Sequence, residues 1–319
     1  MSLGEGGKGG IIDLFRLARP HQWAKGVFVL IGPVFAYADQ QAGAERLHVD
    51  WLGVALAFIA FGFASSACYI INDIKDRDAD RAHPRKMHRP IASGRVAIGT
   101  ARVLSGVLLV LAGVTGAGAA LRSGLPETWW LPAIVALYVV NVVAYSLRLK
   151  QVVMLDVICL AIGFVLRVIG GCVAAGVEPS SWLLNCTFFV SMFLAFGKRL
   201  GERRSLGDAE AAAARGVQGA YTSDLLRMAV VVTAVASLLT YAGYIEEKSE
   251  QYTIGFNLLW LTILPATYGL LRAIVVLERG RYDDPTELAV HDRPFQAAAG
   301  VFGLMTLILL FAVRAATNS

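Results

Sequence analysis

Long apolar runs recur from one end of this 319-residue chain to the other, and they constrain its fold more than any motif does. Stretches at 25–39, 51–71, 103–121, 129–147, 153–176, 182–197, 225–245, 253–277 and 295–313 approach or reach the roughly 20 residues that a helix needs to cross a bilayer. The first and sixth are the shortest. Apolar residues make up 56% of the chain and charged residues 17%, where a soluble domain has about 45–50% and about a quarter. A soluble enzyme, a secreted disulfide scaffold, a disordered protein and a single-anchor protein are all excluded. The expectation is an all-α, polytopic membrane helical bundle with about nine transmembrane helices. It should form one membrane-embedded domain over 1–319, with no separate soluble domain between the runs.

Charge sets the orientation. With a cytosolic N-terminus and nine spans, 24 of the 29 Lys and Arg residues fall on the cytosolic side, as the positive-inside rule requires. Only Arg46, Arg122, Lys248 and Arg314 fall outside, and Arg167 lies within a span. Trp51, Trp129, Trp130 and Trp182 sit where spans begin at the outer face, as interfacial aromatics do. The location expected is the cell inner (plasma) membrane, with the C-terminus outside. IIDLFRLARP at 11–20 alternates apolar residues and arginines at helical spacing and reads as an interfacial helix lying on the membrane. The opening MSLGEGGKGG carries no signal-peptide or myristoylation pattern. Cys68, Cys159, Cys172 and Cys186 lie in or beside apolar runs without C-x-x-C spacing, so they read as packing residues.

External connections are short, whereas the cytosolic segments 72–102 and 198–224 are long and dense in charge. They are the expected active-site segments. Each follows an even-numbered span, which hints at a pseudo-repeat, but no residue-by-residue self-similarity accompanies it. In the first segment, a second span continued as helix through Asp80 places Asn72, Asp76 and Asp80 at i, i+4 and i+8, with Asp73 beside them. At about 100° per residue these four share a stripe, and Asp78, about 200° from Asp76, points away. Stacked like charges repel and call for a cation. Oxygen ligands suit Mg²⁺, which takes one or two carboxylates and completes its shell with water and phosphate. Arg81, Arg85, Lys86, His88 and Arg89 follow closely, a sequence of carboxylates then cations that fits a metal–diphosphate pair better than a solvated loop.

N-x-x-x-D-x-x-x-D at 72–80 and H-R-P-I-A-S-G at 88–94 resemble the UbiA superfamily of intramembrane prenyltransferases, as do Y-S-x-x-L-K at 145–150 and D-V-x-x-L-A-x-G-F-x-L-R at 156–167. The resemblance runs over nearly the whole chain. R-P-x-Q-W-x-K at 19–25 and F-G-K-R-x-x-E at 196–202 are similar to one branch, the decaprenyl-phosphate phosphoribosyltransferases, with Gly26 a departure where asparagine is frequent. That resemblance implies transfer of 5-phosphoribose from phosphoribosyl diphosphate to a polyprenyl phosphate lipid, in arabinan cell-wall precursor synthesis. Asp76, Asp80, Asn72 and Asp73 would hold Mg²⁺. No nucleic-acid partner is expected, and a homo-oligomer is allowed but not required.

Other members of the superfamily are expected to carry a second aspartate-rich motif after the sixth span. Here Lys198, Arg199, Arg203 and Arg204 dominate, with Glu202 and Asp208 as the acids. Replacing carboxylates by cations suits a substrate with more phosphate to neutralise. Lys198 and Glu202, at i and i+4, can share a face and leave the arginines for phosphate. Cations for phosphate come from Lys25, Lys86 with Arg89, Lys150, and Lys198 with Arg199 and Arg203. Tyr145 and Asp156 complete the expected substrate contacts, though a belt tyrosine and a helix-terminal carboxylate explain them as well. Arg167 needs a polar cavity or partner, since a charge in the bilayer costs at least roughly 2.5–3.5 kcal/mol. The segment 279–294 reads as a solvated loop or a lid. Prenyl transfer from a prenyl diphosphate to an aromatic or lipid acceptor is the enzymatic alternative. A polytopic transporter is the non-enzymatic one, disfavoured because the charged motifs lie at one face.

Overall fold

The computed structural model describes residues 10–38, 49–84, 86–206, 220–253, 255–279, 288 and 290–317. Among these, regular structure is helical, apart from one isolated bridge between Thr253 and Asn257. The principal helices are α1 (Ile11–Ala18), α2 (Val27–Ala38), α3 (Trp51–Lys75), α4 (Arg77–Ala82), α5 (Ile98–Ser123), α6 (Leu131–Leu147), α7 (Leu155–Ala175), α8 (Ser181–Leu206), α9 (Ser223–Glu247), α10 (Ile263–Glu278) and α11 (Arg293–Thr317).

Among the described residues, seven segments are long and apolar enough to cross a membrane: Trp51–Lys75, Ile98–Ser123, Pro126–Leu147, Leu155–Ala175, Ser181–Arg204, Ser223–Glu247 and Leu258–Glu278. They coincide with the second to eighth apolar runs. The other two runs are also helical where they are described. The first becomes a 3₁₀ segment, Pro20–Gly26, followed by the 12-residue α2 with Pro33 inside it. The residues that follow Ala38, 39–48, lie outside the described ones. The ninth lies in the 25-residue α11, whose described apolar stretch is Arg293–Leu309. The sixth run, the shortest in sequence after the first, extends well past Phe196 into the charged segment as one helix, α8.

The chain divides into two compact units. One comprises Met1–Pro33, Val49–Leu149 and Leu166–Glu178; the other comprises Val34–His48, Lys150–Val165 and Pro179–Ser319. In the first unit α3 is the central helix, packed against α5, α6 and the 3₁₀ segment. Its small residues Gly53, Ala57, Ala60, Ala64 and Ala67 are buried and admit close neighbours. Leu17 from α1 and Ile91 and Val96 from the loop after α4 join Ala67 and Ile70 in one apolar cluster beneath the charged motif. Ile11, Ile12 and Phe15 of α1 face outward, so only the Leu17 side of that helix is buried. In the second unit α8 and α9 form the principal pair, with α10 and α11 beside them. Phe193, Phe196, Leu200, Tyr221 and Leu226 make its core. Thr222 caps α9 by accepting from the Leu225 amide at 3.1 Å.

Candidate active site

In the first unit, the segment 19–25 docks on one face of α3. Arg19, held in the left-handed region at φ 51°, donates to both carboxylate oxygens of Asp73 at 2.7 and 2.6 Å. Trp23 donates its indole N–H to Ser66 Oγ at 3.0 Å, and Lys25 donates to the Tyr69 hydroxyl at 3.2 Å. That hydroxyl in turn donates to Gln22 Oε1 at 3.3 Å. The partners Ser66, Tyr69 and Asp73 recur at helical spacing, so the motif reads α3 rung by rung. Trp23 lies so close that a Cβ on Gly62 would sit 2.8 Å from its ring. Gly26 has a matching explanation: a Cβ there would collide with the Phe58 ring. The asparagine frequent at this position in the resembling branch could enter only if Phe58 moved.

The acidic stripe is not one uninterrupted helix. α3 ends at Lys75, Asp76 takes φ −89° and ψ 5°, and α4 begins at Arg77. Backbone bonds from Asp76 N to Asn72 O (2.9 Å) and from Asp80 N to Asp76 O (2.8 Å) nevertheless carry the four-residue period across the break. Asp73 and Asp80 are buried, at 2% and 4% exposure, and Asn72 and Asp76 are half-buried. The Asp78 side chain is 91% exposed and lies 3.7 Å from Arg81.

One guanidinium joins the two buried carboxylates. Nη1 of Arg89 donates to Asp80 Oδ2 at 2.7 Å and to Asp73 Oδ1 at 3.1 Å. A buried carboxylate without a partner would cost several kcal/mol, so these arginines are what make the burial tolerable. The Arg89 loop is fixed from several sides. Arg81 Nε donates to Ala92 O at 3.0 Å, Ser93 Oγ donates to Arg89 O at 2.8 Å, and Gly94 turns the chain at φ 79°. Among the described residues no group of three or more His, Cys, Asp or Glu side chains is assembled as a metal site. Two hard oxygens do converge on one cationic nitrogen. That donor type suits a hard divalent cation, which needs only one or two carboxylates.

In the second unit, Asp156 is fully buried at the start of α7. Its Oδ1 accepts from the Tyr221 hydroxyl at 2.6 Å and its Oδ2 from Arg199 Nε at 3.1 Å. The Tyr221 oxygen accepts from the Met154 amide at 2.7 Å, and Met154 itself sits at φ 70°. Burial, and then the bond to the Asp156 carboxylate, push the Tyr221 phenol up from its ordinary value, so it stays a donor at any working pH. Arg199 also reaches Glu202 Oε2 at 3.1 Å through Nη1. Arg203 ties the segment before α9 to α8, donating to Ser223 Oγ at 3.0 Å and to the Tyr221 carbonyl. Arg204 and Arg227 both pair with Glu278. The basic cluster is therefore oriented by acids and carbonyls of its own unit. Lys198 is exposed on the same helix end.

The remaining predicted positions are dispersed. Lys86 is half-buried in the short 3₁₀ turn Lys86–His88, and Tyr145 is half-buried near the end of α6. Lys150 is half-buried in the second unit. Arg167 is buried in the first unit, donating to Ser65 Oγ at 3.0 Å and Tyr138 Oη at 2.7 Å, with its guanidinium 4.5 Å from the Tyr138 ring centre. Asp208, Arg85 and most of 279–294 lie outside the described residues. At its described end Asp292 pairs with Arg272 at 2.9 Å. Arg19, Tyr69 and Tyr221 have roles that residue reading did not assign. Arg19 was detectable as the first residue of the R-P-x-Q-W-x-K segment, while Tyr221 carries no local signal.

Seven apolar helices with an aspartate stripe at the end of one and a basic cluster at the end of another are the marks of an intramembrane transferase fold. Residues 30–295 match the UbiA prenyltransferase family, and the chain belongs to that family. It is 34% identical over 297 residues to the decaprenyl-phosphate phosphoribosyltransferase of Mycolicibacterium smegmatis, covering 90% of this chain and 88% of that one. It is 32% identical to the protein of the same name from Corynebacterium glutamicum, covering 93% and 87%. Among solved structures, a UbiA homologue from Archaeoglobus fulgidus bound to GPP and Mg²⁺ shares the fold. Its TM-score is 0.65 at 18% identity, over 96% of this chain and 100% of that chain.

Proposed function

We propose that this chain works as a single membrane-embedded catalytic domain that transfers 5-phosphoribose from phosphoribosyl diphosphate to decaprenyl phosphate or a related polyprenyl phosphate, releasing diphosphate. The observation that carries this reading is identity of 32–34% along about nine-tenths of the chain with relatives of that one name. The basic character of 198–204 supports it, since two phosphorylated substrates demand more cationic ligands than one. The product would supply arabinan precursors of a cell wall.

In this mechanism Asp80 and Asp76, with Asn72 or Asp73 assisting, would hold Mg²⁺, which would neutralise the departing diphosphate. Arg89 and Lys86 would bind diphosphate oxygens beside it. Lys198, Arg199 and Arg203 would serve phosphate in the second unit, with Asp156 and Glu202 holding Arg199 at a set angle; Lys25, Tyr145 and Lys150 complete the proposed contacts. The bond from C1 to the diphosphate oxygen breaks with its electron pair going to diphosphate. A lipid phosphate oxygen bonds to C1 from the opposite face. A phosphate monoester with a second pKa near 6 is mostly dianionic at pH 7, so its oxygen attacks without a general base. Positioning and charge compensation are what the protein must supply. The apolar helices would take the polyprenyl tail, and the charged segments would face the cytosol from the plasma membrane.

The test is direct. Purified protein given labelled phosphoribosyl diphosphate, decaprenyl phosphate and Mg²⁺ should move label into the lipid fraction, with no turnover when the metal is chelated. A parallel reaction offers a prenyl diphosphate and hydroxybenzoate. Prenylation there, with no label in lipid in the first reaction, would replace this reading by prenyl transfer.

A further inference from the structure

Arg89 holds the position between Asp73 and Asp80 that a cation would take. Its single nitrogen Nη1 lies 3.1 Å from one buried carboxylate and 2.7 Å from the other. Arg19 engages both oxygens of Asp73. Two buried aspartates and two arginines thus balance without any metal. Even with the half-buried Asp76 counted, a divalent cation entering alone would leave these side chains with surplus positive charge, and it would have to displace a charge-assisted hydrogen bond to reach Asp80. A cation arriving with diphosphate brings the missing negative charge. The displaced guanidinium, whose side chain is 27% exposed, then has phosphate oxygens to bind.

We propose that Arg89 is the counter-ion of the aspartates until substrate arrives, exchanging Asp80 for diphosphate so that metal and diphosphate load together. This rests on the reading that Asp80 ligates the metal. It makes Arg89 a positioning residue for the empty cluster and a diphosphate ligand for the filled one. Asp78, outside the cluster and open to solvent, takes no part.

The experiment titrates detergent-purified full-length protein with Mn²⁺ and follows free Mn²⁺ by electron paramagnetic resonance, without substrate. Arg89→Gln should bind Mn²⁺ at least about tenfold tighter than the unaltered chain, because the competitor for the carboxylates is gone. Asp80→Asn should lose that binding. Equal or weaker binding by Arg89→Gln, with Asp80→Asn still deficient, would overturn the exchange and leave the metal reading intact. Failure of every form to bind Mn²⁺, even with inorganic diphosphate present, would overturn both. A second measurement needs no variant. Mn²⁺ with diphosphate should slow phenylglyoxal modification of Arg89, read by mass spectrometry. High Mn²⁺ alone should speed it, while Arg81 changes in neither case. No acceleration at an Mn²⁺ concentration that saturates the protein would also sink the proposal.

Discussion

At the residue scale, Asn72 and the four aspartates from 73 to 80 divide by environment. Asp73 and Asp80 are buried and held by arginines, Asn72 and Asp76 are half-buried, and Asp78 is open to solvent. If Asp76 holds metal as proposed, Asp76→Asn should reduce transfer by about 100-fold or more. Asp78→Asn should stay within about threefold, as an exposed pair contributes little. Initial rates at equal amounts of folded protein, checked by gel filtration, decide between them, and equal losses would sink the stripe as a metal site. The spacing of these carboxylates was legible from periodicity alone. The identity of their counter-ions was not. Arg19 and Arg89 lie 54 and 16 residues from Asp73, and a guanidinium finds its partner through the folded chain rather than through local spacing.

At the element scale, glycines mark where backbones approach. A Cβ on Gly171 of α7 would collide with the Val29 carbonyl oxygen of α2, and a backbone atom cannot yield as a side chain can. Gly171→Ala should cost about 3 kcal/mol of stability, at the upper end for overpacking. Gly113→Ala on α5, with nothing within 4 Å of the new methyl, should cost none. Thermal unfolding in detergent measures both, and a Gly171→Ala protein as stable as Gly113→Ala would refute the contact. The seven long helices follow from hydrophobicity over windows of about 20 residues. The helical state of 198–206 did not, because its charges resemble a loop; α8 carries them as helix since Leu200 is buried with Phe193 and Phe196 and Arg199 is tied to Asp156. The run at 25–39 is described as helix over Val27–Ala38, which continues through Pro33.

At the scale of the whole molecule, the charge segregation predicts a topology. A cysteine-free variant with one cysteine placed at 78 should react with a membrane-impermeant maleimide only from the cytosolic side. The same variant with the cysteine at 122 should react only from outside. Both positions carry exposed side chains, so access is limited by the membrane rather than by burial. Right-side-out and inverted vesicles make the comparison, and labelling of both sites from one side would overturn the crossing by α5 that separates them.

The amino-acid sequence by itself determined that this chain is a polytopic helical membrane protein with an acidic stripe and a basic segment. Those properties depend on residues near one another along the chain, through hydropathy and the 3.6-residue period. Only the tertiary structure decided which charges neutralise which. It placed Arg89 between two aspartates, Arg19 on Asp73, and Tyr221 with Arg199 on a fully buried Asp156. In a low-dielectric interior a charge must be matched where it is buried, and the chain that supplies the match is brought there only by folding.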